Sequence, residues 1–173
     1  MMSKNSVKNL TPSVITGIRV ILAPIFFLTI INNLLIYSLI IFLLALVTDF
    51  LDGYISRKWD VCSSKGAYFD ITADFILIMA GFSAFVIRDI YPFWIIIIIV
   101  SMFIQFIITS KSKILVYDPV GKYYGVFLFI IIFIDLIINN SSINLLLVIL
   151  IVIFTVISII SRLLFILKHK DEI

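Results

Sequence analysis

Long apolar runs separated by short polar breaks dominate this chain. Several runs approach the 20 or so residues that a helix needs to cross roughly 30 Å of hydrocarbon. The pattern predicts an all-α integral membrane protein with a single membrane domain over residues 1–173, which includes a short cytoplasmic segment at 1–11. The six predicted transmembrane helices cover about residues 12–31, 34–56, 66–87, 91–110, 120–138 and 143–167.

The composition agrees with this pattern. Of the 173 residues, 63% are hydrophobic and only 13% are charged, whereas a soluble domain is close to half apolar. The polar N-terminal segment precedes an apolar run that lacks a small-residue cleavage site, so we do not expect a removed signal peptide. The predicted helices leave no room for a soluble domain.

The basic residues fall in alternate polar breaks, which indicates the orientation. The breaks at 32–33, 88–89 and 139–142 contain only one of them, Arg88. Because lysine and arginine concentrate in cytoplasmic loops, both termini are predicted to be cytoplasmic in a multi-pass protein of the cell membrane. The basic residues on the predicted cytoplasmic side include Lys4, Lys8, Arg57, Lys58, Lys65, Lys111, Lys113, Lys122, Lys168 and Lys170.

The charge balance and the cysteine count exclude several function classes. A net charge of +3 suits a rim that faces anionic lipid headgroups. No basic stripe interleaved with exposed aromatic residues is present, so nucleic acid is not a predicted partner. Cys62 is the only cysteine and His169 the only histidine, which excludes an intrachain disulfide and a metal site built from cysteine and histidine.

The segment from Thr48 to Asp74 holds five of the ten acidic residues. A carboxylate facing lipid is costly, so these side chains should face a polar interior. Asp49 and Asp52 are three residues apart near the end of the second predicted helix, and Asp70 and Asp74 are four apart near the start of the third. Both spacings place the two side chains on one helix face. The two pairs should therefore meet near the cytoplasmic end of two antiparallel helices.

Facing carboxylates need a counter-charge, because each raises the pKa of the others. An all-oxygen site suits Mg²⁺ or Mn²⁺, and four aspartates can supply bridging ligands for two ions. Gly53 and Gly66 flank the acidic residues, where they either allow close helix packing or let a ligand approach the backbone. Arg57 is placed to hold a phosphate or to anchor the helix end.

Residues 49–74 follow the pattern D-x2-D-G-x2-S-R-x8-G-x3-D-x3-D. This resembles the signature of the CDP-alcohol phosphotransferase (CDP-alcohol phosphatidyltransferase) family, with seven of the eight fixed positions identical and Ser56 in place of alanine. The resemblance implies a six-helix membrane fold, a homodimer, and transfer of a substituted phosphate group from a CDP-linked donor such as CDP-diacylglycerol to an alcohol, with release of CMP.

The resemblance also implies roles for individual residues. Four aspartates would bind two divalent ions, and the last would accept a proton from the acceptor hydroxyl. Three small residues would line a cytidine pocket and one arginine would lie by the phosphates. The four aspartates are Asp49, Asp52, Asp70 and Asp74, and Asp74 is the base. The small residues are Gly53, Ser56 and Gly66, and the arginine is Arg57.

A second resemblance concerns residues 12–24, which read P-S-x2-T-x2-R-x4-P. They are similar to the opening of phosphatidylglycerophosphate synthases and related cardiolipin synthases. Arg19 lies about two turns into the membrane, so it should face the bundle interior, and we expect it to approach substrate phosphate rather than only an internal carboxylate. Lys122 is a further predicted substrate contact, whereas Phe75 replaces a lysine that is usual in these synthases.

The acceptor alcohol is left open by these residues. Glycerol 3-phosphate fits the synthase resemblance, and serine, inositol phosphate and phosphatidylglycerol are alternatives. A small divalent-cation channel or transporter, a UbiA-type prenyltransferase and a catalytically silent family member are rival interpretations. Outside the acidic segment, Asp135 is the only other acid well inside a predicted helix. It could form a hydrogen bond or an ion pair within the bundle, for instance with Arg162.

Overall fold

The computed structural model describes the backbone of residues 4–59, 64–110, 123–138 and 140–168, and the side chains of 16–51, 68–108, 123–138 and 140–164. Within these ranges the chain forms six α-helices and no strand, so the all-α prediction is confirmed. The helices are α1 Lys4–Ile31, α2 Leu35–Trp59, α3 Ser64–Ile87, α4 Trp94–Ser110, α5 Tyr124–Ile137 and α6 Ser141–Lys168.

Each predicted span coincides with one of these helices, although some boundaries differ. Helix α1 begins at Lys4 instead of near residue 12, because hydropathy marks the apolar part of a helix and not a polar extension of it. Among residues with described side chains, the stretches Tyr68–Ile87 and Ser141–Leu164 are long and apolar enough to cross a membrane. The described apolar parts of the other four helices are Thr16–Ile31, Leu35–Leu51, Trp94–Ile108 and Tyr124–Ile137.

The contacts divide the chain into two units, Met1–Ile87 and Arg88–Ile173. The first unit contains a tight turn between α1 and α2. Asn33 has a φ of 60°, a left-handed conformation that asparagine tolerates better than most residues. Its amide donates to Ile30 O and the next amide, of Leu34, donates to Thr29 O. These two bonds close a Schellman motif, which ends α1 and reverses the chain.

Helix α1 packs closely against both α2 and α3 in this unit. Ala23, Ala45 and Ala73, one on each helix, are buried, and such small side chains allow helix backbones to approach. Phe26 of α1 stacks on Phe42 of α2 with ring centroids 5.7 Å apart. The α1 helix is therefore the common neighbour of the two helices that carry the acidic residues.

In the second unit α6 packs against both α4 and α5. Tyr124 at the start of α5 contacts Thr155 through their hydroxyl groups at 2.9 Å, and Phe127 stacks on Phe154 at 4.3 Å. Near the other end of α5, Asp135 lies beside Asn144. Contacts that advance along α5 while they retreat along α6 show that the two helices are antiparallel.

Candidate functional site

Carboxylates from α2 and α3 converge on one arginine of α1. Nη1 of Arg19 lies 2.9 Å from Oδ1 of Asp49 and also donates to Oδ1 of Asp74, while Nη2 donates to Oδ1 of Asp70. Arg19 is fully buried, as expected from its position about two turns into the first predicted membrane helix. The acidic side chains are 45% exposed for Asp49 and 37% and 28% for Asp70 and Asp74. A buried cation thus lies beneath three accessible carboxylates.

Helix register brings Arg19 and Asp49 to the same depth. Arg19 precedes the turn residue Asn33 by 14 positions and Asp49 follows it by 16. At 1.5 Å per residue these side chains lie about 21 Å and about 24 Å from the turn along antiparallel helices. The sequence therefore contains the spacing that brings Arg19 to Asp49, although the sequence prediction did not include Arg19 among the partners of the carboxylates.

The donor set fits a hard divalent cation. One oxygen each from Asp49, Asp70 and Asp74 can be chosen so that all three lie within 4.8 Å of one another. Carboxylate oxygens are the ligands that Mg²⁺ and Mn²⁺ prefer. The three carboxylates carry three negative charges against the single positive charge of Arg19, so this described part of the site retains an excess of negative charge that a metal could neutralise.

The remaining predicted site residues have no described side chain. The backbone of four of them continues α2, and a fifth lies in the first turn of α3; in chain order these are Asp52, Gly53, Ser56, Arg57 and Gly66. Lys122 lies outside the described residues, as do Cys62 and His169. The structure therefore brings together Arg19, Asp49, Asp70 and Asp74 of the predicted set.

A second buried polar cluster occurs in the other unit, and sequence reasoning missed most of it. The hydroxyl of Tyr91 donates to Oδ2 of Asp135, and both residues are buried. With its amide oriented to donate, Nδ2 of Asn144 lies 3.1 Å from Oδ1 of Asp135 and 3.0 Å from the carbonyl oxygen of Asn140. Asp135 is therefore held by neutral donors.

Of the two roles suggested for Asp135, the hydrogen bond within the bundle is confirmed, whereas the ion pair with Arg162 is wrong. Arg162 is buried, but it follows Asn144 by 18 residues on the same helix. That separation corresponds to about 27 Å along the helix axis, well beyond the reach of an ion pair. The pairing failed because two charges in one bundle interact only if the helix register brings them to the same depth.

The comparison with known families agrees with the carboxylate geometry. Residues 9–165 match the family described as CDP-alcohol phosphatidyltransferase. The chain belongs to the CDP-alcohol phosphatidyltransferase family. The match includes α1 from residue 9 onward, and so Arg19, as well as the segment that holds the clustered aspartates.

Several members of the CDP-alcohol phosphatidyltransferase family share substantial identity with this chain. A protein of Wigglesworthia glossinidia brevipalpis named CDP-diacylglycerol--glycerol-3-phosphate 3-phosphatidyltransferase is 35% identical over 105 residues, which cover 59% of this chain and 57% of the relative. Proteins with the same name are 45% identical over 74 residues in Rickettsia felis and 34% identical over 76 residues in Bacillus subtilis. The last two alignments cover 41% and 44% of this chain and 40% and 38% of those relatives. The chain thus spans about half the length or less of these curated relatives.

Proposed function

We propose that this chain transfers a phosphatidyl group from CDP-diacylglycerol to an alcohol and releases CMP. The observation that carries the proposal is the convergence of Asp49, Asp70 and Asp74 within 4.8 Å, at positions that follow the family's spacing. Membership of the family over residues 9–165 supports the same reaction class. A metal site alone would fit many functions, whereas this spacing of aspartates on α2 and α3 is specific to the family's phosphotransfer motif.

The proposed reaction needs few protein groups. The acceptor oxygen attacks the phosphorus that carries the lipid, the bond to the bridging oxygen of the diphosphate breaks, and CMP leaves with that oxygen. Asp74 accepts the proton of the acceptor hydroxyl as general base. Divalent ions held by Asp49, Asp52, Asp70 and Asp74 would supply electrostatic stabilisation of the phosphate charge. No covalent intermediate with the protein is required.

The donor would be bound by the predicted substrate residues. Gly53, Ser56 and Gly66 are proposed to line the cytidine pocket, and Arg57 to lie by the phosphates. Because Ser56 exceeds alanine by a single oxygen atom, it should narrow the pocket without closing it. These roles rest on the motif and on the helical backbone at these positions.

Glycerol 3-phosphate is the proposed acceptor. The relatives described above carry this acceptor in their names, and residues 12–24 resemble the opening of the synthases. Lys122 is a proposed contact to substrate phosphate. Arg19 is proposed as a second contact once it releases carboxylate oxygens, because in the structure both of its terminal nitrogens are held by the three described carboxylates of the site. Phe75 stands where such synthases usually have lysine, so serine, inositol phosphate and phosphatidylglycerol are kept as alternatives that the assay below separates.

The proposed setting is the cell membrane. Six transmembrane helices with both termini in the cytoplasm would place the aspartates near the cytoplasmic face, because the adjoining predicted loop carries Arg57, Lys58 and Lys65. Water-soluble CMP could leave there while the acyl chains of the donor stay in the bilayer. A homodimer is proposed from the family resemblance.

The test is an acceptor panel with the purified full chain in vesicles that contain CDP-diacylglycerol and Mn²⁺. We expect CMP release and a new phosphatidyl lipid with glycerol 3-phosphate, and less product with serine, inositol phosphate or phosphatidylglycerol. A different preferred alcohol would change the acceptor but keep the reaction. No CMP with any alcohol, together with Mn²⁺ flux into sealed vesicles, would favour the channel or transporter instead.

A further inference from the structure

Arg19 contacts every described carboxylate of the cluster at once. Its two terminal nitrogens reach Oδ1 of Asp49, Asp70 and Asp74, and oxygens of the same three residues can lie within 4.8 Å of one another. The guanidinium therefore engages the same carboxylates that a metal would use. This is a different arrangement from a partner that orients one ligand from outside the site.

From this geometry we infer that Arg19 is an internal competitor of the divalent ions: it holds the carboxylates together before ions bind and lowers the affinity of the cluster for them. The inference rests on the proposed function, because it assumes that the carboxylates bind metal. It adds a property of this chain's own residues, namely that Arg19 gives up carboxylate oxygens as the ions enter.

Charge supports competition rather than simple neutralisation. Arginine stays protonated in proteins, so Arg19 cannot lose its charge when a divalent ion approaches. Its positive charge repels the ion, and its donors compete for lone pairs on Asp49, Asp70 and Asp74. Yet one guanidinium leaves two of the three carboxylate charges unbalanced. Arg19 thus offsets part of the negative charge, and the charge that remains can still attract ions.

The exposure of the site gives the ions a route. Arg19 is fully buried, whereas the carboxylate side chains are between 28% and 45% exposed. Ions can therefore reach the accessible side of the carboxylates while the guanidinium lies on the buried side. An ion that binds Oδ1 of one of these carboxylates then competes with the Arg19 nitrogen that contacts the same oxygen.

The main test measures Mn²⁺ binding to the purified full chain in detergent without substrate, by the electron paramagnetic resonance signal of free Mn²⁺. We expect Arg19→Gln to bind Mn²⁺ about tenfold or more tightly than the unmodified chain, because even a screened repulsion between a guanidinium and a divalent ion a few ångströms apart is of that size. Arg19→Lys should lie between the two, since it keeps the charge but loses the forked donors.

Thermal unfolding provides a second readout. In the presence of a chelator, Arg19→Gln should unfold at a lower temperature than the unmodified chain, because three carboxylates lose their shared cation. Added Mn²⁺ should raise the unfolding temperature of Arg19→Gln more than that of the unmodified chain. Arg162→Gln is the matched control, since it removes a buried arginine from α6, and its Mn²⁺ affinity should stay close to that of the unmodified chain.

The outcomes separate this inference from the proposed function. Equal or weaker Mn²⁺ binding in Arg19→Gln would overturn competition and show that Arg19 supports the ligands instead, while the metal centre stands. An equal gain in Arg162→Gln would also overturn it, because the effect would then be one of net charge. Absence of Mn²⁺ binding in every form would reject the metal centre, and with it the proposed function.

A measurement on the unmodified chain covers the case in which the Arg19 variants fail to fold. The sequence contains four arginines, so side-chain ¹⁵N resonances of arginine give a simple spectrum. Titration with diamagnetic Mg²⁺ should shift the Arg19 resonance as its carboxylate contacts are lost. An Arg19 resonance that stays fixed while Mg²⁺ binds would contradict the inference.

Discussion

The two units each bury an ionisable side chain among apolar helices, but they balance its charge in different ways. In the first unit Arg19 meets three carboxylates. In the second, Asp135 meets a tyrosine hydroxyl and an amide. The described cluster around Arg19 therefore has more negative than positive charge, whereas the described cluster around Asp135 uses uncharged donors to stabilise a single carboxylate.

This difference distinguishes a candidate binding site, the Arg19 cluster, from a structural support, the Asp135 cluster. Neutral donors satisfy the hydrogen-bonding capacity of a buried carboxylate without a bound cation, so the contacts of Asp135 are explained as structural hydrogen bonds. They join the segment before α4 to the end of α5 and the start of α6. An excess of carboxylates destabilises the folded protein unless a cation neutralises it, as it would in the proposed metal site. The Arg19 cluster has that excess.

The largest expected effect is on the rate of CMP release, and it is seen by comparing two isosteric substitutions, one in each cluster. Asp74→Asn should lower CMP release by about 10²–10⁴-fold, the usual contribution of a general base, while the protein remains folded. Asp135→Asn should leave CMP release within a few fold of the unmodified chain. Initial rates in the same vesicles, with folding checked by size-exclusion chromatography, measure both. Full activity in Asp74→Asn would remove the base assignment.

An intermediate effect is expected for Tyr91→Phe, which removes one donor from Asp135. The carboxylate would stay buried with one hydrogen bond fewer, at a cost of about 1–3 kcal/mol in the free energy of unfolding. Thermal or denaturant unfolding in detergent measures this loss, and Mn²⁺ affinity should not change. A change in Mn²⁺ affinity as large as that of Arg19→Gln would contradict the division between site and support.

The smallest effect is expected for Thr155→Val on α6. The Thr155 hydroxyl donates to Ile151 O at 2.7 Å, so in its 2.9 Å contact with Tyr124 it must accept. Valine keeps the shape but leaves the buried Tyr124 hydroxyl without this acceptor, which should cost about 1 kcal/mol. Unfolding in detergent checks the value, and unchanged CMP release would separate stability from function in this unit.

Much of the fold could be predicted because long apolar runs specify helices. All six described helices correspond to predicted spans, and the polar extension of α1 was missed because it carries no hydropathy signal. The turn at Asn33 lies in a predicted break, but its left-handed conformation is specified by backbone hydrogen bonds that a hydropathy pattern does not contain.

Only part of the candidate site could be predicted from the sequence. Spacing showed that Asp70 and Asp74 share a helix face, and depth showed that Arg19 must be buried. Spacing within one helix cannot show which third helix packs against it, so the contacts of Arg19 with three carboxylates were not predicted. Likewise, the sequence placed Asp135 well inside a predicted helix, but its partners depend on the register of α5 against α6 and on Tyr91, which lies in a loop.

The metal dependence of CMP release from CDP-diacylglycerol with glycerol 3-phosphate tests the proposed reaction most directly. The purified full chain in vesicles is stripped of divalent ions with a chelator and then given Mn²⁺ or Mg²⁺. CMP and a glycerol-phosphate-bearing lipid should form only when ion, donor and acceptor are all present. CMP release that continues at the same rate without divalent ions would contradict the proposed reaction.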